Sequence, residues 1–126
     1  MSLSESRVHA TLPGSDFARA KEFYKDKLGL TPVRDTPGAA FYEFSDGSRF
    51  VLFPSGGAAS GTHTQMGFTV TDLKTEVAAL QAAGVEFEEY DTPTFKTVNG
   101  VAENEFVKSS FFWDSERNLI GMVEFK

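Results

Sequence analysis

Few residues in this chain could do chemistry. There are two histidines, His9 and His63, and no cysteine, which removes thiolate nucleophiles, disulfides and zinc–thiolate sites. His9 is the candidate general base or acid, because histidine alone titrates near neutrality without help from its surroundings. No Gly-x-Ser-x-Gly turn presents a nucleophilic serine. Gly56, Gly57 and Gly61 are followed by no Lys-Ser or Lys-Thr and no helical pattern, so they read as linker and not as a phosphate loop. Glu86, Glu88 and Glu89 beside Tyr90 would suit a cation or supply a base, but a solvated edge strand is the simpler account.

Strand alternation sorts the polar candidates by face. Val8, Ala10 and Leu12 form an apolar set at every second position, which leaves His9 and Thr11 on the opposite side. Met66, Phe68 and Val70 leave His63, Gln65, Gly67 and Thr69. Ile120 and Met122 leave Gly121 and Val123. A slip of one residue in any strand reverses its assignment.

The elements that carry these residues come in two copies. Val8–Phe17 has a counterpart in Thr64–Leu73, each a short strand pattern ending in an Asp. Asp16 and Asp72 are 56 residues apart, as are Asp35-Thr36-Pro37 and Asp91-Thr92-Pro93. Two matches at one offset indicate a duplicated half-domain. Asp16 and Asp72 suit helix N-caps. Phe17, Ala20, Tyr24 and Leu28 make one apolar helical stripe, and Leu73, Val77 and Leu80 the other. Gly29 and Gly84 then suit the left-handed position that ends a helix.

Beyond each helix the period shortens to two. Phe41–Phe44 and Arg49–Phe53 read as a hairpin over Asp46-Gly47, and Phe106–Trp113 and Asn118–Phe125 as another over Asp114–Arg117. The hairpins carry Phe50, Phe53, Phe106, Phe111, Phe112 and Trp113, and alternation sends about half of such residues to each face. Pro54 to Gly61 is a linker by composition. A half of roughly 55 residues buries too little surface to stand alone, so the expectation is one domain over 1–126, with modules at about 6–54 and 63–126 joined by 55–62.

With 126 residues, 40% of them apolar and 13 of them Phe, the chain can fill a core. A net charge of −6 argues against tracking nucleic-acid phosphates. The apolar runs are too short to cross a membrane, and no secretory signal pattern opens the sequence. The expected location is the cytoplasm.

The strand, the Asp-capped helix with Phe23-Tyr24, Leu28-Gly29-Leu30, Gly67-Phe68-Thr69-Val70-Thr71-Asp72-Leu73 and Asp114-Ser115-Glu116-Arg117-Asn118-Leu119-Ile120 together resemble the vicinal oxygen chelate (glyoxalase/bleomycin resistance protein/dioxygenase) superfamily. The resemblance implies an α+β fold in which two tandem βαβββ modules form a curved mixed sheet around a cup-shaped pocket, with helices on the outer face. It also implies four metal-ligand positions in metal-dependent members. Here they fall at His9 and Gln65 and near Val51 and Gly121. The last two positions are carboxylates in such enzymes.

The leading expectation is a protein that binds a small organic molecule in an aromatic-lined cup without the family's full metal site. Its ligand-binding residues would be His9, Thr11, Val51, Phe53, His63, Gln65, Gly67, Trp113 and Gly121. The resemblance adds a homodimer whose second subunit completes the cleft. The alternative is a metal-dependent lyase, isomerase or dioxygenase of glyoxalase type, with a divalent metal on His9 and Gln65. A third possibility is a protein whose function is association with a partner. The stretch from Asp91 to Glu105 is expected to be a flap over the cup or a plain surface loop.

Overall fold

The computed structural model describes residues 3–126. Each half begins with a strand, β1 (Ala10–Gly14) or β5 (Thr64–Thr69), followed by a helix, α1 (Phe17–Asp26) or α2 (Leu73–Ala82). The first half continues through β2 (Arg34–Thr36), β3 (Ala39–Glu43) and β4 (Arg49–Pro54). The second continues through β6 (Ala102–Glu103), β7 (Val107–Trp113) and β8 (Leu119–Phe125). The fold is α+β, two tandem βαβββ modules.

The helix starts have the expected chemistry. The Asp16 carboxylate accepts from the Arg19 N–H at 3.1 Å, and Asp72 accepts from the Thr75 N–H at 3.3 Å and its hydroxyl at 2.8 Å. Each side chain thus satisfies a first-turn donor that has no partner within the helix. At the far ends Gly29 and Gly84 have φ of 70° and 90°, a conformation that side chains with a Cβ rarely adopt.

The strands form two mixed sheets of four, ordered β1-β4-β3-β2 and β5-β8-β7-β6. The first and last strands of each module run parallel, and the hairpins are antiparallel. Alternation then separates two faces. Leu12, Tyr42, Phe50 and Leu52 of the first sheet join Phe112, Ile120 and Met122 of the second in one buried cluster with Ala20, Tyr24, Leu73 and Val77 of the helices. Tyr42 and Phe50 stack at 4.5 Å between ring centroids. Both helix-side faces therefore close on a shared core, and the opposite faces, where a cup would lie, are turned away from it.

Polar contacts tie the modules together at the β7–β8 turn. The Tyr24 hydroxyl donates to Asp114 Oδ2, Asn118 Nδ2 donates to the Pro13 carbonyl, and Glu116 accepts from the Asp16 N–H and from Arg19. The Glu116 side chain is only 1% exposed. Burial by itself raises its carboxyl, but the Arg19 guanidinium, the Asp16 N–H and the Ser115 hydroxyl together hold it below the usual range. Among the described residues no helix is long and apolar enough to cross a membrane.

Candidate functional site

The register reads out the cup-side rows of each sheet. In the first, Thr11 lies beside Val51 and Val51 beside Phe41, with Pro13 beside Phe53. In the second, Gly67 lies beside Gly121 and Gly121 beside Phe111, and the next row is Thr69, Val123 and Ser109. The second face borders an open cavity of about 450 Å³ whose lining includes Thr64, Gln65, Gly67, Phe111, Gly121 and Val123. None of its lining residues comes from the first sheet.

Sequence-named residues thus separate into groups. Gln65, Gly67 and Gly121 share that cavity. Thr11, Val51 and Phe53 lie together on the other sheet, Thr11 exposed and the other two half-buried. His9 is exposed one residue before β1. His63 is exposed just before β5 and shares a hydrogen bond with the Ser60 hydroxyl at 3.2 Å. Trp113 does not line the cavity; its indole N–H donates to Glu88 at 2.8 Å and the Arg117 guanidinium lies 4.4 Å from its ring centroid.

A register irregularity changes the alternation of β5. Thr64 pairs with Leu119 and Met66 with Ile120, so Gln65 is an extra residue between them. Such a bulge sets two residues against one, so strict alternation does not carry across it. Thr64 consequently shares the cup side with Gly67, and carrying alternation back from Gly67 to His63 does not hold. The side-chain amide oxygen of Gln65 is buried without a hydrogen-bond partner. No hydrogen bond from the described residues fixes which way this amide points, so it can offer either a donor or an acceptor.

Phe111 lines the cavity, and an aromatic cluster that the sequence left unassigned stands behind it. Phe111 takes edge-on contacts from Tyr90 at 5.4 Å and Phe95 at 5.9 Å, and those two meet at 5.3 Å. Tyr90 and Phe95 belong to the 89–101 segment, which isolated bridges and hydrogen bonds tie to itself and to β7. Glu88 N–H donates to the Phe111 carbonyl, and Trp113 N–H to the Glu86 carbonyl, anchoring its base to β7. Glu89 accepts from the Thr97 hydroxyl and the Gly100 N–H. Asn99 and Gly100 have φ of 51° and 79°, the pattern of a tight hairpin turn. That Asn-Gly pair was the available sequence signal.

The three glutamates near Tyr90 have separate structural partners: Glu86 pairs with Arg117 at 3.1 Å, Glu88 holds the Trp113 indole and Glu89 holds the loop. A larger open groove of about 670 Å³ runs between α2 and residues 96–103. Lys74 within it already lies 3.8 Å from Glu103, and no set of buried polar groups converges there.

The donor set does not make a four-ligand metal site of the family type within one chain. Val51 and Gly121 sit at the centres of the two cup rows and have no side-chain donor. An imidazole and an amide bring no negative charge to a metal, and a hard divalent ion favours anionic oxygen. Among the described residues no three His, Asp or Glu side chains come together to hold an ion.

The model of the Glyoxalase/Bleomycin resistance protein/Dioxygenase superfamily matches residues 6–104. Among solved structures, a glyoxalase/bleomycin resistance protein/dioxygenase from Alicyclobacillus acidocaldarius is similar over 99% of this chain and 95% of its own, at 20% identity and a TM-score of 0.67. The genomically encoded fosfomycin resistance protein FosX from Listeria monocytogenes is similar over 94% and 89%, at 14% identity and 0.70. TnmS3, an antibiotic binding protein from Streptomyces sp. CB03234, is similar over 96% and 98%, at 21% identity and 0.65. No curated protein matches the sequence. From the family match over most of its length, the chain belongs to the glyoxalase/bleomycin resistance protein/dioxygenase superfamily.

Proposed function

We propose that this protein binds a small organic molecule in an aromatic-lined cup, without the family's full metal site. One observation carries the reading: the row Gly67–Gly121–Phe111 puts bare backbone and a ring where a metal-dependent relative would need a carboxylate. A concave, mostly apolar surface with a few polar groups suits a small-molecule site. Gln65 and Thr64 supply polar contacts on this face, with Thr11 on the other sheet. The similarity to an antibiotic binding protein supports a ligand of drug-like size.

A second copy of the chain completes the cup. The two cup faces are turned away from the shared core, and the cavity borders only one of them. A homodimer that brings the Thr11–Val51 face of one copy over the Gly121 face of the other would enclose the ligand. His9 and His63 then act at the rim, and the dimer works in the cytoplasm.

The test is calorimetric titration of chelator-stripped protein with nickel, zinc, manganese and iron(II), with His9→Ala as control. The expected result is no saturable binding, followed by a rise in melting temperature with uncharged aromatic compounds, because a ligand that binds only the native state stabilises it. One-to-one metal binding that His9→Ala abolishes would overturn the reading in favour of a glyoxalase-type lyase, isomerase or dioxygenase.

A further inference from the structure

We propose that the cup of the second module contains a slot one carbon layer thick, floored by Gly121, which selects a flat aromatic or heteroaromatic ring. The inference rests on the cup being the binding site and specifies its ligand. Gly121 lies on β8, between β5 and β7 in the sheet. A Cβ placed on it would lie 3.6 Å from the Thr64 methyl on the β5 side and 3.8 Å from the Phe111 ring on the β7 side. Both are ordinary van der Waals separations. A single layer of carbon atoms therefore fits between the two walls. An aromatic ring is one layer thick, whereas a puckered saturated ring is thicker.

The fold does not require glycine at this position. Gly121 is absent from the residues with positive φ, and a Cβ would touch its neighbours without overlap. Neighbouring Gly67 has the same freedom, with only the Gly121 carbonyl oxygen within reach at 3.7 Å. Glycine weakens a strand interior and commonly marks the close approach of a ligand or another backbone. Here two such residues lie side by side on the cup floor, where no other backbone is packed over them. Gln65, whose side-chain oxygen has no partner, and Phe111, backed by Tyr90 and Phe95, line the same cavity. They suit an uncharged ring bearing one O–H or N–H group.

The probes are 2-naphthol, which is flat and carries an O–H, and decahydro-2-naphthol, which has the same skeleton but is puckered. Binding is followed by amide chemical shifts of the protein and by calorimetry. The wild type is expected to prefer 2-naphthol by about tenfold or more, a resolvable difference in affinity. Gly121→Ala should abolish that preference while leaving the melting temperature unchanged or raised, since alanine suits a strand better than glycine. A purely structural role for Gly121 would instead lower it. Phe111→Leu, which moves one wall back, should admit the puckered probe and provides a second reading if Gly121→Ala folds poorly. Equal affinity for both probes in the wild type, with shifts in the cup, would overturn the slot and leave the cup standing. So would 2-naphthol binding that neither variant alters. Shifts confined to residues outside both cup faces, or none with either probe, would overturn the cup reading and the slot together.

Discussion

The Tyr24 hydroxyl donates a 2.8 Å hydrogen bond to Asp114 Oδ2, joining the first helix to the last hairpin turn across 90 residues of sequence. The contact is buried. Asp114 also accepts from the Glu116 and Asn118 N–H groups and from the Asn118 amide, so its carboxylate is held from both modules. Hydrogen bonds to charged groups contribute about 1.5–3 kcal/mol, more than neutral ones. Tyr24→Phe keeps the ring in the core and removes only this bond. It should lower stability by about 2 kcal/mol, read as a lower urea midpoint at unchanged slope.

Acid should act on the same junction through Glu116. Its carboxyl is held below the ordinary range in the fold. A carboxyl lowered by folding adds stability above its unfolded pKa and loses it as pH falls through the folded value. Unfolding midpoints measured down the acid limb should fall, and Glu116→Gln should flatten that limb. An identical slope in the variant would mean that other carboxylates control acid unfolding.

On the alkaline side the sign is opposite. Burial, then the Asp114 charge, raises the Tyr24 phenol well above its usual value, and burial moves Tyr42 to about 12. A phenol raised by folding adds stability that is fully present below its unfolded pKa, about 10, and is lost as pH rises through the folded value. Ultraviolet titration should show Tyr24 and Tyr42 ionising last and together with unfolding, after Tyr90, whose phenol burial and the Glu88 charge also raise.

Glu89 offers a test of the aromatic wall. Its carboxylate accepts from the Thr97 hydroxyl and the Gly100 N–H, and the loop it holds carries Phe95. Glu89→Ala should speed hydrogen exchange at Thr97 and Gly100 by about tenfold, the effect of weakening local opening by about 1.4 kcal/mol. Global stability should change little, since the residue is exposed. Unchanged exchange would show that the Asn99-Gly100 turn holds the loop by itself.

Helix caps give a local check on the duplicated architecture. Asp16→Ala removes the carboxylate that accepts from Arg19 N–H, and Asp72→Ala the one that accepts from Thr75. Each should cost about 1 kcal/mol. Their effects should add in the double variant, because the two caps share no hydrogen-bond partner.

Much of the scaffold was legible because it follows from local rules. The two Asp caps, the glycines that end the helices and the Asp46-Gly47 hairpin each express a preference of one or two residues. Periodicity placed Leu12 and Ile120 in the core and Thr11 and Gly121 opposite. The site was less legible, because its geometry depends on pairing partners far away in sequence. The irregularity at Gln65 exists only relative to β8, so alternation placed His63 on the cup side and did not mark Thr64. The repeated Asp-Thr-Pro also takes different roles. Asp35-Thr36 ends β2 before a tight turn, whereas Asp91-Thr92 opens the long loop that supplies the aromatic wall. Trp113 shows a further limit: strand pattern identified a large ring, but Glu88 and Arg117 decide its environment.

The shared core and the buried junction also bear on how the chain could be divided. Leu12 and Tyr24 pack in the same cluster as Phe112 and Ile120, and the Asp16 N–H is satisfied by Glu116 from the other half. Between them, residues 56–58 are exposed and outside any strand or helix. Cutting the chain there would separate it into two fragments, each with half of the other's interior. Co-expressed, they should recombine into the native arrangement. Expressed singly, each should be captured by proteolysis, which makes the pair a candidate for fragment complementation.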